Sequence, residues 1–238
     1  MNHMLDRLAL SFDLQRQFAG NAAHELRTPL AMMQTKLELF TEEHSDVDAE
    51  TSKLVQFQID QVDRLTSLVR TLLEMSNLQS VSRSDEIELA PLIDEILTDL
   101  TTLAEQKNIT LHQNCEDVHM IGSDTLIYRL LFNLIENAIK YNHSGGSVTV
   151  SMQQENQQVL LHIADTGCGI PEEYRESIFQ PFFRVDKSRS RQMGGVGLGL
   201  ALVREIAVLH GGSVCVESGS KDGTTFAVKL PLNGEKTE

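Results

Sequence analysis

The sequence predicts a helical hairpin followed by an α/β sandwich, in one chain of 238 residues. Three observations predict this fold class. Apolar residues recur at spacings of three and four up to residue 79, the stretch 80–86 is a polar linker, and period-two apolar runs alternate with helical patterns beyond it. We therefore expect one domain over residues 1–80 and a second over residues 85–238.

The first 79 residues predict two helices that pack along a coiled-coil seam. The polar segment 41–48 predicts the turn between them, and the second helix should reach about Leu78. Only Arg16 interrupts the seam, which consists of Leu5, Ala9, Phe12, Ala19, Ala23, Leu26, Leu30, Met33, Leu37 and Phe40, then Val62, Leu65, Val69 and Leu72. Because one hairpin cannot bury both apolar stripes, we expect a homodimer that forms a four-helix bundle.

The second region predicts alternating strands and helices. Pro91 suits the first turn of a helix, and Asp124 can cap the long apolar helix that follows it. The predicted strands are a short piece at Ile87–Leu89, then 109–112, Val148–Met152, Val159–Ile163, 213–218 and 224–230, with a last helix at about 198–210.

Composition excludes several classes of protein. A net charge of −14 gives an acidic surface that repels phosphate backbones, so we expect no nucleic-acid partner. Cys115, Cys168 and Cys215 lack metal-ligand spacing and favour reduced thiols in a cytosolic setting. No apolar run is long enough to span a bilayer, so we expect this chain to be soluble.

A candidate nucleophile lies beside the seam. His24 should face solvent, with Thr28 one helical turn further along the same face. Pro29 has no N–H for the Glu25 carbonyl, which predicts a bend after His24. An accessible, largely unprotonated imidazole can act as a nucleophile, and Glu25 can take or orient its proton. The alternative is an ordinary surface histidine.

The segment NLIENAIKY (133–141) places polar side chains on one stripe of an apolar helix. The carboxamide oxygen of Asn137, with Asn133 one turn before it, can ligate Mg²⁺. Lys140 can meet phosphate and Tyr141 offers a ring to a base. The alternative is a polar helix face.

The segment DTGCGI (165–170) suits a nucleotide base. Asp165 continues an inward-facing alternation, so its carboxylate needs a donor such as the exocyclic amine of adenine. Gly167 and Gly169 allow a close backbone approach, and Ile170 ends the motif.

Two further glycine motifs suit phosphate and the pocket floor. GGVGLGL (194–200) opens a helix, where free amides bind phosphate, although it is neither a Walker loop nor a dinucleotide fingerprint. GTTF (223–226) either lines the floor through Thr224 and Thr225 or is a plain turn. The phosphate-binding backbone would comprise Gly195, Val196, Gly197, Leu198, Gly199 and Leu200.

A long basic segment, residues 178–193, lies between these motifs. Its length and position predict a mobile lid over ATP, although a solvated charge run is the alternative. Phe182, Arg184, Lys187 and Arg191 are its candidate ligand contacts.

FAGNAAHELRTPL (18–30) resembles the phosphoacceptor motif of the histidine kinase dimerisation domain. The order of the other motifs resembles the histidine kinase ATP-binding domain, of the superfamily shared with Hsp90, type II topoisomerases and MutL. The resemblance implies autophosphorylation of His24 from ATP with Mg²⁺, and then transfer to an aspartate of a response regulator. It assigns Asn133 and Asn137 to the nucleotide–Mg²⁺ site, Asp165 to adenine, and Phe179, Phe182 and Phe183 to an aromatic lid.

The same resemblance bears on activity and location. Thr28 in the pattern HELRT implies a regulator phosphatase activity, and the family's architecture implies transmembrane helices before residue 1 of a bacterial sensor. Val196 departs from the usual Thr or Ser and removes one phosphate contact. Hydrolytic relatives carry a water-activating Glu where this chain has Asn133, which favours phosphotransfer over hydrolysis. The rival class is a dimeric, non-catalytic ATP-binding adaptor.

Overall fold

The computed structural model describes residues 22, 25–44, 47–185, 196–220 and 222–233. The predicted site residues His24, Lys187, Arg191 and Gly195 lie outside these ranges, as do the seam residues from Leu5 to Ala23. The chain divides into two compact units, with the main division between Gln79 and Ser80. Within the described residues, no helix combines the length and apolar character that a membrane crossing requires.

The first unit contains the predicted helical hairpin. Helix α1 covers 25–43 and runs through Pro29, and helix α2 covers Ala49–Asn77. Asp48 begins α2, because its carboxylate accepts hydrogen bonds from the backbone N–H groups of Glu50 at 2.9 Å and Thr51 at 3.0 Å. The hairpin core consists of the buried side chains Leu30, Val62, Val69 and Leu73, with Leu37 and Leu72 partly buried against them.

The second unit is the predicted α/β sandwich. Its five-stranded sheet has the order β2-β4-β5-β7-β6, in which β2 pairs with β4 in parallel and the other pairs are antiparallel. The strands are β1 Asp85–Glu88, β2 Thr110–Cys115, β3 His119–Gly122, β4 Ser147–Glu155, β5 Gln158–Asp165, β6 Ser213–Ser220 and β7 Gly223–Pro231. The helices are α3 Leu89–Gln106, α4 Asp124–Lys140 and α5 Gly199–Leu209.

The core lies between the helices and one face of the sheet. Alternate residues of β4 and β5 are buried there, namely Val148, Val150, Met152, Val159, Leu161 and Ile163. Helix α4 packs against α3, α5, β4 and β5, so it is the central helix of this layer. The polar stripe of α4 is therefore held on a rigid element.

The predicted cap of α4 is wrong. Ser123 occupies the N-cap position and Asp124 is the first helical residue, without a capping bond from Ser123. Instead, the carboxylate of Asp85 accepts a hydrogen bond from the Asp124 N–H at 3.1 Å, and Nε2 of His210 accepts one from the Ser123 N–H at 3.1 Å. The residues that satisfy this helix end are distant in sequence, which local capping rules do not consider.

One strand and two element boundaries also differ from prediction. Strand β3 pairs antiparallel with β1 and was not predicted, and β1 itself begins at Asp85, inside the predicted linker. Helix α3 begins at Leu89, so Pro91 lies within its first turn, where its missing N–H needs no partner.

Candidate functional site

The polar stripe of α4 contains two asparagines that differ in their hydrogen bonding. Nδ2 of Asn133 donates a hydrogen bond to the Arg129 carbonyl at 2.7 Å, within the helix. Its Oδ1 faces α5, because a Cβ atom added at Gly199 would lie 2.7 Å from it. The half-buried amide of Asn137 makes no hydrogen bond within the described residues, so its oxygen is available to a ligand.

Lys140 is paired within its own helix. Its Nζ lies 2.9 Å from Oε1 of Glu136, one turn earlier. Lys107 donates to the Lys140 carbonyl at the end of α4, and burial, with the charge of Lys140, lowers the pKa of Lys107. The predicted contact of Lys140 with phosphate stays a prediction. To make it, the ammonium group would have to bind phosphate and Glu136 together, or break its ion pair with Glu136.

Asp165 ends β5 with one carboxylate oxygen occupied. Oδ1 accepts hydrogen bonds from the Gly167 N–H at 2.7 Å and from the Thr224 N–H at 3.3 Å. No hydrogen bond reaches Oδ2 from the described residues. Burial raises the pKa of Asp165 above its ordinary value, while the two backbone N–H groups oppose this rise. A donor placed at Oδ2 would stabilise the ionised carboxylate.

The glycines around Asp165 are required by the protein's own packing. A Cβ atom at Gly167 would lie 2.5 Å from the Tyr141 carbonyl oxygen, and one at Gly223 would lie 1.9 Å from the Asp165 carbonyl oxygen. Gly169 has a φ of +68°, which favours glycine. The Ile170 carbonyl packs against Gly219.

Strand β7 brings the GTTF motif to the same place. Thr224 pairs with Asp165 across the β5–β7 ladder and is buried, whereas Thr225 pairs with Ala164 and is half-buried. Thr224 therefore contacts Asp165 through its backbone N–H. Because any residue type except proline could make this contact, the identity of Thr224 does not predict it.

The described part of the predicted lid, up to residue 185, contacts the glycine motif that follows the lid in the sequence. The Phe182 N–H donates to the Gly197 carbonyl at 2.7 Å, and a Cβ atom at Gly197 would lie 2.8 Å from the Phe183 carbonyl oxygen. Gly197 has a φ of +80°, so only glycine suits this contact. Arg184, Val196 and Leu200 are half-buried, and Leu198, at the N-cap of α5, is buried.

The three phenylalanines of the aromatic motif occupy different environments. Phe179 is buried, with its ring edge-to-face to Phe226 at 6.3 Å between centroids. The Phe183 ring lies 5.8 Å from that of Tyr174. Phe182 is 56% exposed, so its ring is the one accessible to a ligand.

Glu25 and Thr28 are exposed side chains on α1, as their predicted roles require. Two polar residues beside the pocket were missed by sequence reasoning. Asn142 and Thr166 hydrogen-bond to each other at 3.1 Å. Asn142 directly follows NLIENAIKY, and Thr166 lies within DTGCGI itself, so both adjoin predicted motifs without having been singled out.

Comparisons with known proteins match both units. The His Kinase A (phospho-acceptor) domain matches residues 14–81, and the Histidine kinase-, DNA gyrase B-, and HSP90-like ATPase matches residues 122–234. The chain is 36% identical over 228 residues to sensor histidine kinase RppB of Synechocystis sp., and 35% identical over 235 residues to signal transduction histidine-protein kinase ArlS of Staphylococcus aureus. These matches cover 93% and 95% of this chain, but the chain spans only about half of each relative (50% and 51%).

Solved structures show the same fold. Full-length ShkA in complex with AMPPNP superimposes with a TM-score of 0.75 at 23% identity, over 92% of this chain and 46% of that one. Histidine kinase ThkA in complex with response regulator protein TrrA gives a TM-score of 0.66 at 25% identity, over 99% of this chain and 66% of that one.

Proposed function

The chain belongs to the sensor histidine kinases, and on that premise we propose that it transfers the γ-phosphoryl group of ATP to His24 and then to an aspartate of a response regulator. A ring nitrogen of His24 attacks the γ-phosphorus, the bond to the bridging oxygen of ADP breaks, and Glu25 takes the ring proton. The response regulator as acceptor is consistent with the similarity to ThkA, whose structure contains one.

The observation that carries the proposal is the amide of Asn133. At the position from which a carboxylate would activate water, Nδ2 donates to the Arg129 carbonyl at 2.7 Å. An amide is not a base, so water gains no activation there and the imidazole becomes the better nucleophile. This supports phosphotransfer over hydrolysis.

Asp165 supports adenine as the base. Its Oδ1 is fixed by two backbone N–H groups, which leaves Oδ2 as an acceptor of defined position. The exocyclic amine of adenine is a donor that matches it, whereas the O6 carbonyl of guanine is not. Tyr141, Phe182 and the backbone of residues 195–200 would complete the contacts to the base and the phosphates.

The residues present fit Mg²⁺. The Asn137 oxygen has no hydrogen-bond donor of its own in the described residues, and a neutral carboxamide suits a hard cation next to triphosphate. When bound, Mg²⁺ would offset negative charge on the phosphates. Lys140, Arg184, Lys187 and Arg191 would add positive charge around them.

We place the domain boundary between residues 80 and 85 and propose a homodimer through the hairpin. Leu26, Met33 and Leu65 of the predicted seam are 50%, 53% and 48% exposed in one chain, as expected if a second copy covers them.

We also propose a cytoplasmic location for this portion of a membrane-anchored bacterial sensor, without a nucleic-acid partner.

Thr28 supports a second activity at the same helix face. It is exposed one turn from the position of His24, where its hydroxyl can orient water towards a phosphorylated regulator. Thr28→Ala should slow regulator dephosphorylation and leave autophosphorylation unchanged. Equal loss of both activities would contradict this role.

Labelling with γ-labelled ATP and Mg²⁺ tests the kinase. We expect an acid-labile, base-stable label that is lost in His24→Gln and kept in His44→Gln, a matched change at an exposed histidine of the same hairpin. If unmutated protein binds ATP and dimerises but takes no label, the adaptor interpretation replaces the kinase.

Asp165→Asn tests the base contact without disturbing the loop. The asparagine Oδ1 can still accept from Gly167 and Thr224, but its Nδ2 presents a donor to the adenine amine. We expect about 100-fold weaker ATP binding, from a hydrogen-bond mismatch of about 3 kcal/mol. The melting temperature without nucleotide should not fall, since burial disfavours the charged carboxylate.

A further inference from the structure

Asn142 in the α4–β4 turn, Ser147 at the start of β4 and Thr166 directly after β5 form a hydrogen-bonded cluster. Oδ1 of Asn142 accepts from the Thr166 hydroxyl at 3.1 Å and from the His143 N–H at 2.9 Å. Nδ2 of Asn142 donates to the Ser147 carbonyl at 2.9 Å. The Thr166 hydroxyl accepts from the Ser147 N–H at 2.9 Å, so the three residues form a closed network.

The cluster is closely packed. A Cβ atom at Gly146 would lie 2.3 Å from Oδ1 of Asn142 and 2.6 Å from Oγ1 of Thr166. A second connection, the Thr166 N–H to the Ser147 carbonyl at 3.2 Å, fixes the backbone beside it. Asn142 thus has one orientation, set by donors and an acceptor on three sides.

This cluster joins the two segments that carry the proposed nucleotide contacts. Asn142 directly follows Tyr141 at the end of α4, the helix that carries Asn137. Thr166 lies between Asp165 and Gly167. The Cys168 N–H also donates to the Tyr141 carbonyl at 3.2 Å, which adds a backbone contact between the same two segments. The Asn142–Thr166 contact is therefore one of the links between the segment that carries Asp165 and the helix that carries Asn137.

We propose that Asn142 and Thr166 are positioning residues for base selection: they clamp the Asp165 loop to the end of α4, so that Oδ2 of Asp165 meets an amine donor at a fixed distance from Asn137. The clamp contacts neither the base nor the phosphates in this scheme. It acts by limiting the movement of the Asp165 loop, and it deepens the proposed function, on which it rests.

The clamp should affect nucleotide binding and spare the chemical step. Asn142→Ala and Thr166→Val both remove the hydrogen bond between the two side chains, and each should raise the KM for ATP about tenfold, with kcat at saturating ATP within about twofold. The ratio of ATP to GTP affinity should fall, because a loose Asp165 distinguishes amine from carbonyl less well. Thr166→Ser keeps the hydroxyl and should restore both values.

Two controls separate a clamp from general destabilisation. Thr149→Val makes the same change on the neighbouring strand β4, and it should leave KM unchanged. The double variant Asn142→Ala/Thr166→Val should be no worse than the more affected single variant, because each single variant already removes the hydrogen bond that joins the two side chains. Additive effects, or an equal fall in kcat, would overturn the proposal.

Calorimetric titration of the full chain with ATP distinguishes a failure of the clamp from a failure of the proposed function. If unmutated protein fails to bind ATP, the proposed function fails. If it binds ATP and Asn142→Ala binds with the same affinity and the same preference over GTP, the clamp alone is wrong.

Discussion

The helical hairpin and the α/β unit carry similar apolar periodicity but bury it to different extents. In α4, the side chains of Leu130, Leu131, Leu134 and Ile135 are all 0% exposed within one chain. In the hairpin, by contrast, Leu26, Met33 and Leu65 remain about half exposed. The core around α4 is therefore closed within one chain, whereas the described part of the hairpin leaves apolar side chains of its seam exposed.

This difference in burial matches the different functions proposed for the two units, which are nucleotide binding and dimerisation. A nucleotide pocket requires fixed geometry, which a closed core supplies. A dimerising hairpin instead stabilises its helices by burying apolar area between copies, at about 25 cal/mol per Å². The stability of the hairpin should then depend on protein concentration, and that of the α/β unit should not.

The largest expected effect is in the closed core. Leu134→Ala removes a fully buried side chain from α4 and should lower the free energy of unfolding of the α/β unit by about 2–5 kcal/mol. Urea unfolding followed by tyrosine fluorescence measures it, since Tyr128, Tyr141 and Tyr174 all lie in that unit and tryptophan is absent. The loss of unfolding free energy should be the same at two protein concentrations that differ 100-fold. A loss that changes with concentration would contradict the contrast between the α/β unit and the hairpin.

The next effect is on association. Leu65→Glu places a charge on the exposed seam of α2 and should weaken the dimer about 100-fold, through about 3 kcal/mol of lost burial and charge desolvation. Sedimentation measures the dimer, and ATP affinity should not change. Ser67→Glu, an exposed polar position on the same helix, is the matched control. Equal dissociation in both variants would show that charge, and not the seam, is responsible.

Sequence reasoning succeeded where a local pattern decided the structure. The alternation Val159, Leu161, Ile163 correctly predicted β5 and its buried face, and Asp165 ends this strand half-buried. It failed where residues distant in sequence determine the structure. At the start of α4, the free backbone N–H groups are bonded by Asp85 and His210, which lie 39 and 87 positions away. The Glu136–Lys140 pair is a different omission, because its spacing of four is visible in the sequence.

A smaller effect tests the distant cap of α4. His210 is buried, with Nδ1 donating to the Ile206 carbonyl at 2.8 Å and Nε2 accepting from the Ser123 N–H. His210→Ala leaves the buried Ser123 N–H without an acceptor, which should lower the free energy of unfolding by about 1–3 kcal/mol. His112→Ala, at an exposed position on β2, should have no measurable effect. Tyrosine-detected urea unfolding compares them, and equal losses would refute the capping role.

The smallest effect is the response of the two units to acid. Burial, with the charge of Arg83, lowers the pKa of His210 below its ordinary value of 6.5, so the unfolded chain binds a proton more readily at this residue. The stability that neutral His210 contributes is present above about pH 6.5 and is lost as pH falls from there. In the hairpin, hydrogen bonds from Thr51 lower the pKa of Asp48 below 3.8, so its contribution is lost only below that pH.

Between pH 6.5 and 4 we therefore expect the melting temperature of the α/β unit to fall while that of the hairpin holds. Tyrosine fluorescence reports the unfolding of the α/β unit, and far-ultraviolet circular dichroism also detects the helices of the hairpin. Protonation of Asp165, whose pKa is raised, opposes the fall at the acid end of this window, so the melting temperature should fall more steeply in the upper part of the window than at its acid end. His210→Gln should flatten that slope. An unchanged slope in this variant would assign the acid response to other groups and leave His210 as a cap without a role in pH dependence.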